Sequence, residues 1–316
     1  MKLIEAQPVR WGAFTPILIL TVAFLVAPAA GRADTIYVSN NGDNTIHKFT
    51  SAGTGSVFAS AGLNAPEGLA LDSAGNLYVA NYGNNTIMKF TPGGVGSVFA
   101  NTGLVNPSAL AIDRTGNLYA SNEGAYDSGT GIYHSYIEKF TPSGVGSFFA
   151  DASNRDAFGL ACDSAGNLYA SYRINSPAIM KFTPGGASSV FVSTGMPAAQ
   201  GLAFDSAGSL YASYAFPAGN IGKFSPTGTG LGIFASGMVN PNGMAFDSAG
   251  NLYTANFEFG GYIEKLTPGG AGSVFTTGLS FPLFIAIQVP EPSTWAILVL
   301  GLPALLVFRR ASATHY

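Results

Sequence analysis

The chain has 316 residues, 47% of them apolar and only 10% charged, with 41 glycines and 18 prolines. That balance excludes a disordered chain, so glycine and proline must punctuate a packed fold. A net charge of −3 gives no electrostatic footprint for nucleic acid, and a single cysteine excludes a disulfide framework and a paired-cysteine zinc site.

Residues 1–33 read as a signal peptide. Lys2 and Arg10 make a basic start, an apolar run extends from about Phe14 to Ala30, and Ala30 to Ala33 offers small residues at a cleavage site. Strand-like Asp34-Thr35-Ile36-Tyr37-Val38 follows.

Residues 34–288 are one repeating unit. The phrase from Gly68 to Tyr78 returns at Ala109–Tyr119, Gly159–Tyr169, Gly201–Tyr211 and Gly243–Tyr253, which aligns Asp72, Asp113, Asp163, Asp205 and Asp247. Lys48, Lys89, Lys139, Lys181, Lys223 and Lys265 recur in step. The second unit predicts strands at Gly68–Leu71, Leu77–Asn81, Thr86–Thr91 and Ser97–Ala100, parted by turns in which glycine and asparagine supply positive φ. Four strands in about 42 residues is the arithmetic of a propeller blade. Thr35–Ser39 begins at a second strand, and the missing first strand is found at Phe284–Gln288. The expectation is an all-β, six-bladed propeller closed by its last strand, which removes two sheet edges.

Recurrent positions have structural readings. Ala70, Ala111, Ala161, Ala203, Ala245 and Ala286 are small where inner strands converge, and Cys162 reads as a buried hydrophobe. The aspartates cap their turns, and the lysines read as solvated strand positions.

Residues 289–316 form a tail: Pro290-Glu291-Pro292, an apolar stretch from Trp295 to Phe308, then Arg309-Arg310. As a helix the stretch reaches only about 21 Å, against a hydrocarbon core of ~30 Å. The positive-inside rule leaves the arginines cytoplasmic and the repeats outside. This combination resembles the PEP-CTERM sorting signal of Gram-negative bacteria. The resemblance implies transient membrane insertion through this segment, cleavage by an exosortase-type protease, and delivery to the cell surface or extracellular polysaccharide.

The units resemble NHL repeats, through Pro66 to Asn81 and Ile87 to Gly94, and more loosely the six-bladed propellers of the SMP-30/gluconolactonase and virginiamycin-lyase groups. That resemblance implies fold and leaves function open, since such propellers host lyases, lactonases and binding platforms.

Function belongs on the face where the repeats vary. The loops before each first strand and after each second strand differ in length, and a nine-residue excess lies between Glu123 and Tyr136. The residues opening the first strands, Glu67, Ser108, Phe158, Gln200, Asn242 and Leu283, should stand at the channel mouth. Resemblance to the SMP-30 group implies a divalent metal held there by Glu, Asn and Asp. Glu67 and Asn242 match, the aspartate counterpart is absent, and one carboxylate with neutral amides makes a poor cage. His47 and His134 are the only histidines in the repeats, too few for a histidine-rich metal centre. The loops carry aromatic and amide groups: Asn81, Tyr82, Asn122, Tyr126, Tyr133, Tyr136, Tyr172, Tyr214, Phe216, Asn256, Phe257 and Phe259; Glu123, Asp127, Asp156 and Glu258 add charge. Rings beside amides suit a glycan or protein surface. The candidate binding residues are therefore Glu67, Tyr82, Asn122, Tyr126, Gln200, Asn242, Asn256 and Phe257. The expected function is that of an exported, non-catalytic propeller without cofactor, whose partners are the sorting protease and an exopolysaccharide or surface protein. The alternative is a metal-dependent hydrolase or lactonase centred on Glu67 and Asn242, and a plain spacer or coat is the third reading.

Overall fold

Short alternating apolar runs between glycine- and asparagine-bearing turns fold as antiparallel strands, because each run has a face to bury and each turn supplies a left-handed residue. The computed structural model describes residues 33–289, apart from 154, 175–177, 193–197 and 216–218. The expected signal peptide up to Arg32, the sorting tail from Pro290 and the loop residue Phe216 lie outside the described residues.

The repeats form six four-stranded antiparallel sheets. In the second blade, Pro66–Leu71, Leu77–Asn81, Thr86–Phe90 and Gly96–Ala100 pair in sequence order, close to the predicted bounds. The first blade draws on both ends of the array. Thr35–Asn40 pairs on one side with Thr45–Thr50 and on the other with Pro282–Gln288, setting Ile36 opposite Ile287, Tyr37 opposite Ala286 and Val38 opposite Ile285. Each inner strand touches the next around the axis, and Pro282–Gln288 meets both Pro66–Leu71 and Pro241–Phe246. The ring is closed.

Blades adhere through a repeated aromatic relay. Tyr78 meets Phe99 of its own blade edge-on, with centroids 4.9 Å apart, and Phe99 meets Phe140 of the next blade at 6.2 Å. Tyr253, Phe275 and Phe49 carry the same relay across the seam between the sixth and first blades. Such contacts contribute about 0.5–1.5 kcal/mol each beyond area burial, so they stiffen every joint they bridge.

The repeated polar residues form a second network. Asp72 Oδ1 accepts hydrogen bonds from the backbone N–H groups of Ala74 and Asn76, and Oδ2 accepts from the Asn76 amide at 2.8 Å and the Tyr78 hydroxyl at 3.3 Å. Burial pushes this carboxyl up, but the bonds from Asn76 and Ala74 and the charge of Lys89 outweigh it and hold it below its ordinary value. Lys48 is exposed as the sequence suggested, but the other five lysines are only half-exposed. Lys89 Nζ lies 5.0 Å over the Tyr78 ring and 3.6 Å from Asp72, and Lys223 and Lys265 repeat the arrangement. The tyrosine ring draws each stem inward while the carboxylate fixes its charged end. Cys162 is packed between blades, its thiol pushed up to about 12 chiefly by burial.

Candidate functional site

The inner strands leave their ladders just where they enter the loop face. In the second blade Pro66 opposes Asn81, and regular pairing resumes only at Leu69 and Val79. Serines on the second strands satisfy backbone groups freed by this skip. Ser171 Oγ accepts from the Gly159 N–H at 2.8 Å and donates to the Gln200 carbonyl at 3.1 Å; Ser213 Oγ accepts from Gly201 at 2.8 Å and donates to the Asn242 carbonyl at 2.7 Å. The strand-opening residues are thereby tied to the neighbouring blade. Glycine is required beside them, since a Cβ on Gly159 or Gly201 would lie 2.2 or 2.3 Å from those carbonyl oxygens.

These strand starts enclose a cavity of about 230 Å³ on the loop face. Glu67, Phe158, Gln200, Asn242 and Leu283 line it, and a second ring comes from residues just past the second strands: Asn41, Glu123, Arg173 and Phe257, with Asn240 beside them. Ser108, the sixth opening residue, is instead fully buried and bonded to Ser121 Oγ at 3.0 Å.

Arg173 organises the charge. Its Nε and Nη2 donate to Asp156 Oδ2 at 2.8 and 2.5 Å, its Nη1 donates to Gln200 Oε1 at 3.3 Å, and Nη2 lies 3.5 Å from Glu123 Oε1. The guanidinium carbon stands 3.8 Å from the Phe158 ring centroid. Glu123 Oε2 accepts from the Tyr82 hydroxyl at 2.8 Å. Burial raises the Glu123 carboxyl, and the Tyr82 bond and Arg173 offset this only partly.

Glu67 has no such partners. Part of its side chain faces the cavity, yet Oε2 is buried and has no hydrogen-bond partner among the described residues. Burial, with Glu123 and Asp156 nearby, pushes its carboxyl well above the ordinary range, and Arg173 counteracts this incompletely.

The other sequence candidates divide. Glu67, Gln200, Asn242 and Phe257 meet at the cavity, and Tyr82 supports it through Glu123. Asn122 and Asn256 do not reach it: both are fully buried, and Asn122 Oδ1 accepts from the Val105 N–H while the Asn256 amide points at the Thr254 and Tyr262 carbonyls. Tyr172 and Tyr214 are also buried. Exposed rings remain at Tyr126, Tyr133 and Phe259. The first two meet at a tilt, centroids 4.8 Å apart, across the small hairpin Tyr126–Asp127 and Ile132–Tyr133, which accounts for the long loop.

Sequence reasoning missed Arg173, and a signal was available. The slot after each second strand reads Asn41, Tyr82, Glu123, Arg173, Ala215 and Phe257, where Arg173 is the one basic residue. The site does not suit a divalent metal. Among the described residues no three His, Cys, Asp or Glu side chains converge on a common point, and Glu67 and Asn242 share their cavity with a guanidinium. A larger cavity of about 430 Å³ opens on the opposite face between Leu71–Gly75 and Ile287–Val289, but its one carboxylate, Asp72, is already engaged in its turn.

An NHL-repeat family model matches residues 63–90. Comparison with curated proteins returns no significant match. Among solved structures, a chain of a nidogen/laminin complex superposes with a TM-score of 0.69 at 17% identity, over 82% of this chain and 100% of that one. A gluconolactonase from Xanthomonas campestris gives 0.58 at 14% identity, over 79% and 87% of the two chains, and a streptogramin B lyase gives 0.58 at 13%, over 81% and 90%. At such identities the likeness carries the fold: an NHL-repeat-bearing six-bladed propeller of a kind shared by binding proteins and enzymes.

Proposed function

We propose that this chain is an exported, non-catalytic propeller that binds a glycan at the cell surface or in the extracellular matrix through its loop face. The observation that carries this reading is the polar cavity formed where the repeats diverge. Amides at Gln200 and Asn242 and the ring of Phe257, which is only partly buried, suit a sugar, which presents hydroxyls on its edge and C–H groups on its faces. The exposed pair Tyr126 and Tyr133 extends the same chemistry outward.

Calorimetry with the host's own exopolysaccharide tests the proposal. Binding is expected for the purified propeller and lost in Gln200→Ala/Asn242→Ala. Wild-type protein that binds surface proteins and no polysaccharide would refute the glycan assignment.

Export rests on the basic, apolar start and on the Pro290-Glu291-Pro292 tail. An exosortase-type protease would cleave the tail after transient insertion of the Trp295–Phe308 segment, with Arg309 and Arg310 held in the cytoplasm. Replacing Pro290, Glu291 and Pro292 by alanine should leave the protein membrane-retained and unprocessed; a variant released at the normal mature mass contradicts the sorting role.

A hydrolase or lactonase reading is favoured only by the unpartnered oxygen of Glu67. Metal analysis after incubation with Ca²⁺, Mg²⁺, Mn²⁺ and Zn²⁺ discriminates the two. Stoichiometric metal that disappears in Glu67→Ala would replace the binding reading.

A further inference from the structure

We propose that the channel mouth recognises the ammonium group of an amino sugar, docked on Glu67. The inference rests on the glycan reading above and names the kind of sugar.

Hydrogen-bonding capacity at the mouth is unbalanced. Three carboxylates, Glu67, Glu123 and Asp156, act on one another around a single guanidinium. Arg173 has its donors directed at Asp156, Gln200 and Glu123 and one face against Phe158, so none is aimed at Glu67. Glu67 lines the cavity, and its Oε2 is buried without a partner among the described residues, as is Asp156 Oδ1. The amides leave complementary groups free. Gln200 uses its oxygen on Arg173, which leaves its NH₂, and Asn242 donates its NH₂ to the Asn240 carbonyl at 2.9 Å, which leaves its oxygen. The cavity therefore lacks a compact cation with several donors, placed beside groups able to bond hydroxyls. An alkylammonium carries three donors and one positive charge, and a hexosamine ring places hydroxyls next to it. A divalent ion needs more carboxylate oxygen than Glu67 provides and would be repelled by Arg173.

Protons are part of the exchange. Glu123, from the third blade, and Asp156 and Arg173, from the fourth, are the charged groups that face Glu67; the remaining walls contribute Asn41, Gln200, Asn242, Phe257 and Leu283, all neutral. Burial and the two neighbouring carboxylates favour the protonated form of Glu67 when the cavity is free of ligand. Docking an ammonium favours the carboxylate, so binding releases to solvent whatever proton Glu67 carries in the free protein, and affinity rises with pH over the range in which that proton is held.

Calorimetry on the purified protein with glucosamine, N-acetylglucosamine, glucose and Nα-acetyl-lysine amide, in two buffers of different ionisation enthalpy, tests this. Glucosamine is expected to bind at least about tenfold more tightly than either neutral sugar, with proton release, and Glu67→Gln should abolish both the preference and the release while leaving the melting temperature unchanged or higher. Equal binding of glucosamine and N-acetylglucosamine overturns the ammonium assignment and leaves glycan binding standing. Equal binding of the lysine derivative overturns the sugar assignment. Polysaccharide binding that survives Glu67→Gln with unaltered pH dependence removes the mouth as the recognition point. Absence of binding to polysaccharide and monosaccharides alike removes the underlying glycan reading. Should Glu67→Gln fail to fold, an affinity for glucosamine in wild-type protein that stays flat from pH 5 to 7 overturns the proposal by itself.

Discussion

Replacing Arg173 with methionine removes the one cation at the channel mouth and keeps most of the side-chain volume. Asp156 then loses two charge-assisted bonds, Gln200 one donor and Phe158 its stacked guanidinium. Breaking a buried ion pair costs about 3–5 kcal/mol. The Arg173 and Glu123 side chains are 25% and 24% exposed, so solvent screens part of this and about 2–3 kcal/mol is the working figure. For a domain of this size that corresponds to a fall of about 4–10 °C in melting temperature. The deficit should also depend on pH with a definite sign. Glu67 and Glu123 already titrate above their ordinary values with Arg173 holding them down, and its removal raises both further. A carboxyl raised in the folded state opposes folding above its folded-state pKa and ceases to do so once pH falls below its unfolded value. The melting-point difference between variant and wild type should therefore be largest near pH 8 and shrink steadily toward pH 4. Circular-dichroism melts at pH 8, 6 and 4 measure it. A deficit that is constant across this range would refute the electrostatic account, and an unchanged melting point at pH 8 would show that Arg173 does not stabilise the mouth at all.

Three further outcomes follow from the packing. Gly201→Ala places a Cβ 2.3 Å from the Asn242 carbonyl oxygen and should cost about 1–3 kcal/mol in urea unfolding, whereas Gly185→Ala, with nothing nearer than Thr183 Oγ1 at 4.0 Å, should be close to neutral; equal effects would contradict the close approach. Ile285→Ala on the closing strand and Leu202→Ala at the equivalent place in the fifth blade should each cost about 2–5 kcal/mol. A seam variant with a negligible cost would mean that Pro282–Gln288 is not a working joint of the ring. Asp72→Ala removes two backbone caps and the bonds from Asn76 and Tyr78, and should cost about 1–2 kcal/mol at pH 7. Because Asp72 titrates below its ordinary value, its contribution is present above the unfolded pKa and fades as pH falls through the folded one, so the variant and wild type should converge as pH drops below the ordinary carboxylate range.

The fold was legible because its causes are local and repeated. Each Asp-x-x-Gly-Asn turn, each Tyr-Lys-Phe set and the alignment of Phe284–Gln288 with the other first strands could be counted in the sequence, and the sheets reproduce them. What failed was the environment of single side chains. The lysines looked solvated because a strand pattern shows alternation and not the ring of the neighbouring strand, yet Lys89 faces Tyr78 across the ladder. Asn122 and Asn256 looked like ligand groups because they end strands on the variable face, and their burial depends on loop backbone arriving from residues such as Val105.

The channel mouth shows why a repeat protein hides its site from pattern reading. Slots occupied alike around the ring answer to the fold, as the six inner-strand alanines and the five turn aspartates do. A site at the axis must instead be assembled from slots where copies disagree, because ring symmetry brings equivalent positions together and equivalent residues would present one chemistry six times. Glu67, Phe158, Gln200 and Asn242 are one such slot, and Glu123, Arg173 and Phe257 another, one turn of chain away. Reading both slots as columns across the blades places an arginine beside two carboxylates, Glu67 and Glu123, without coordinates, provided the columns are known to face one axis. Charge then separates the members of the cluster: Arg173 bonds one oxygen of Asp156, Tyr82 bonds one oxygen of Glu123, and among the described residues Glu67 Oε2 and Asp156 Oδ1 are left buried without a partner. An unpartnered buried acceptor costs about 1–3 kcal/mol, and in Glu67 that cost is carried by a residue that lines the cavity where the copies disagree.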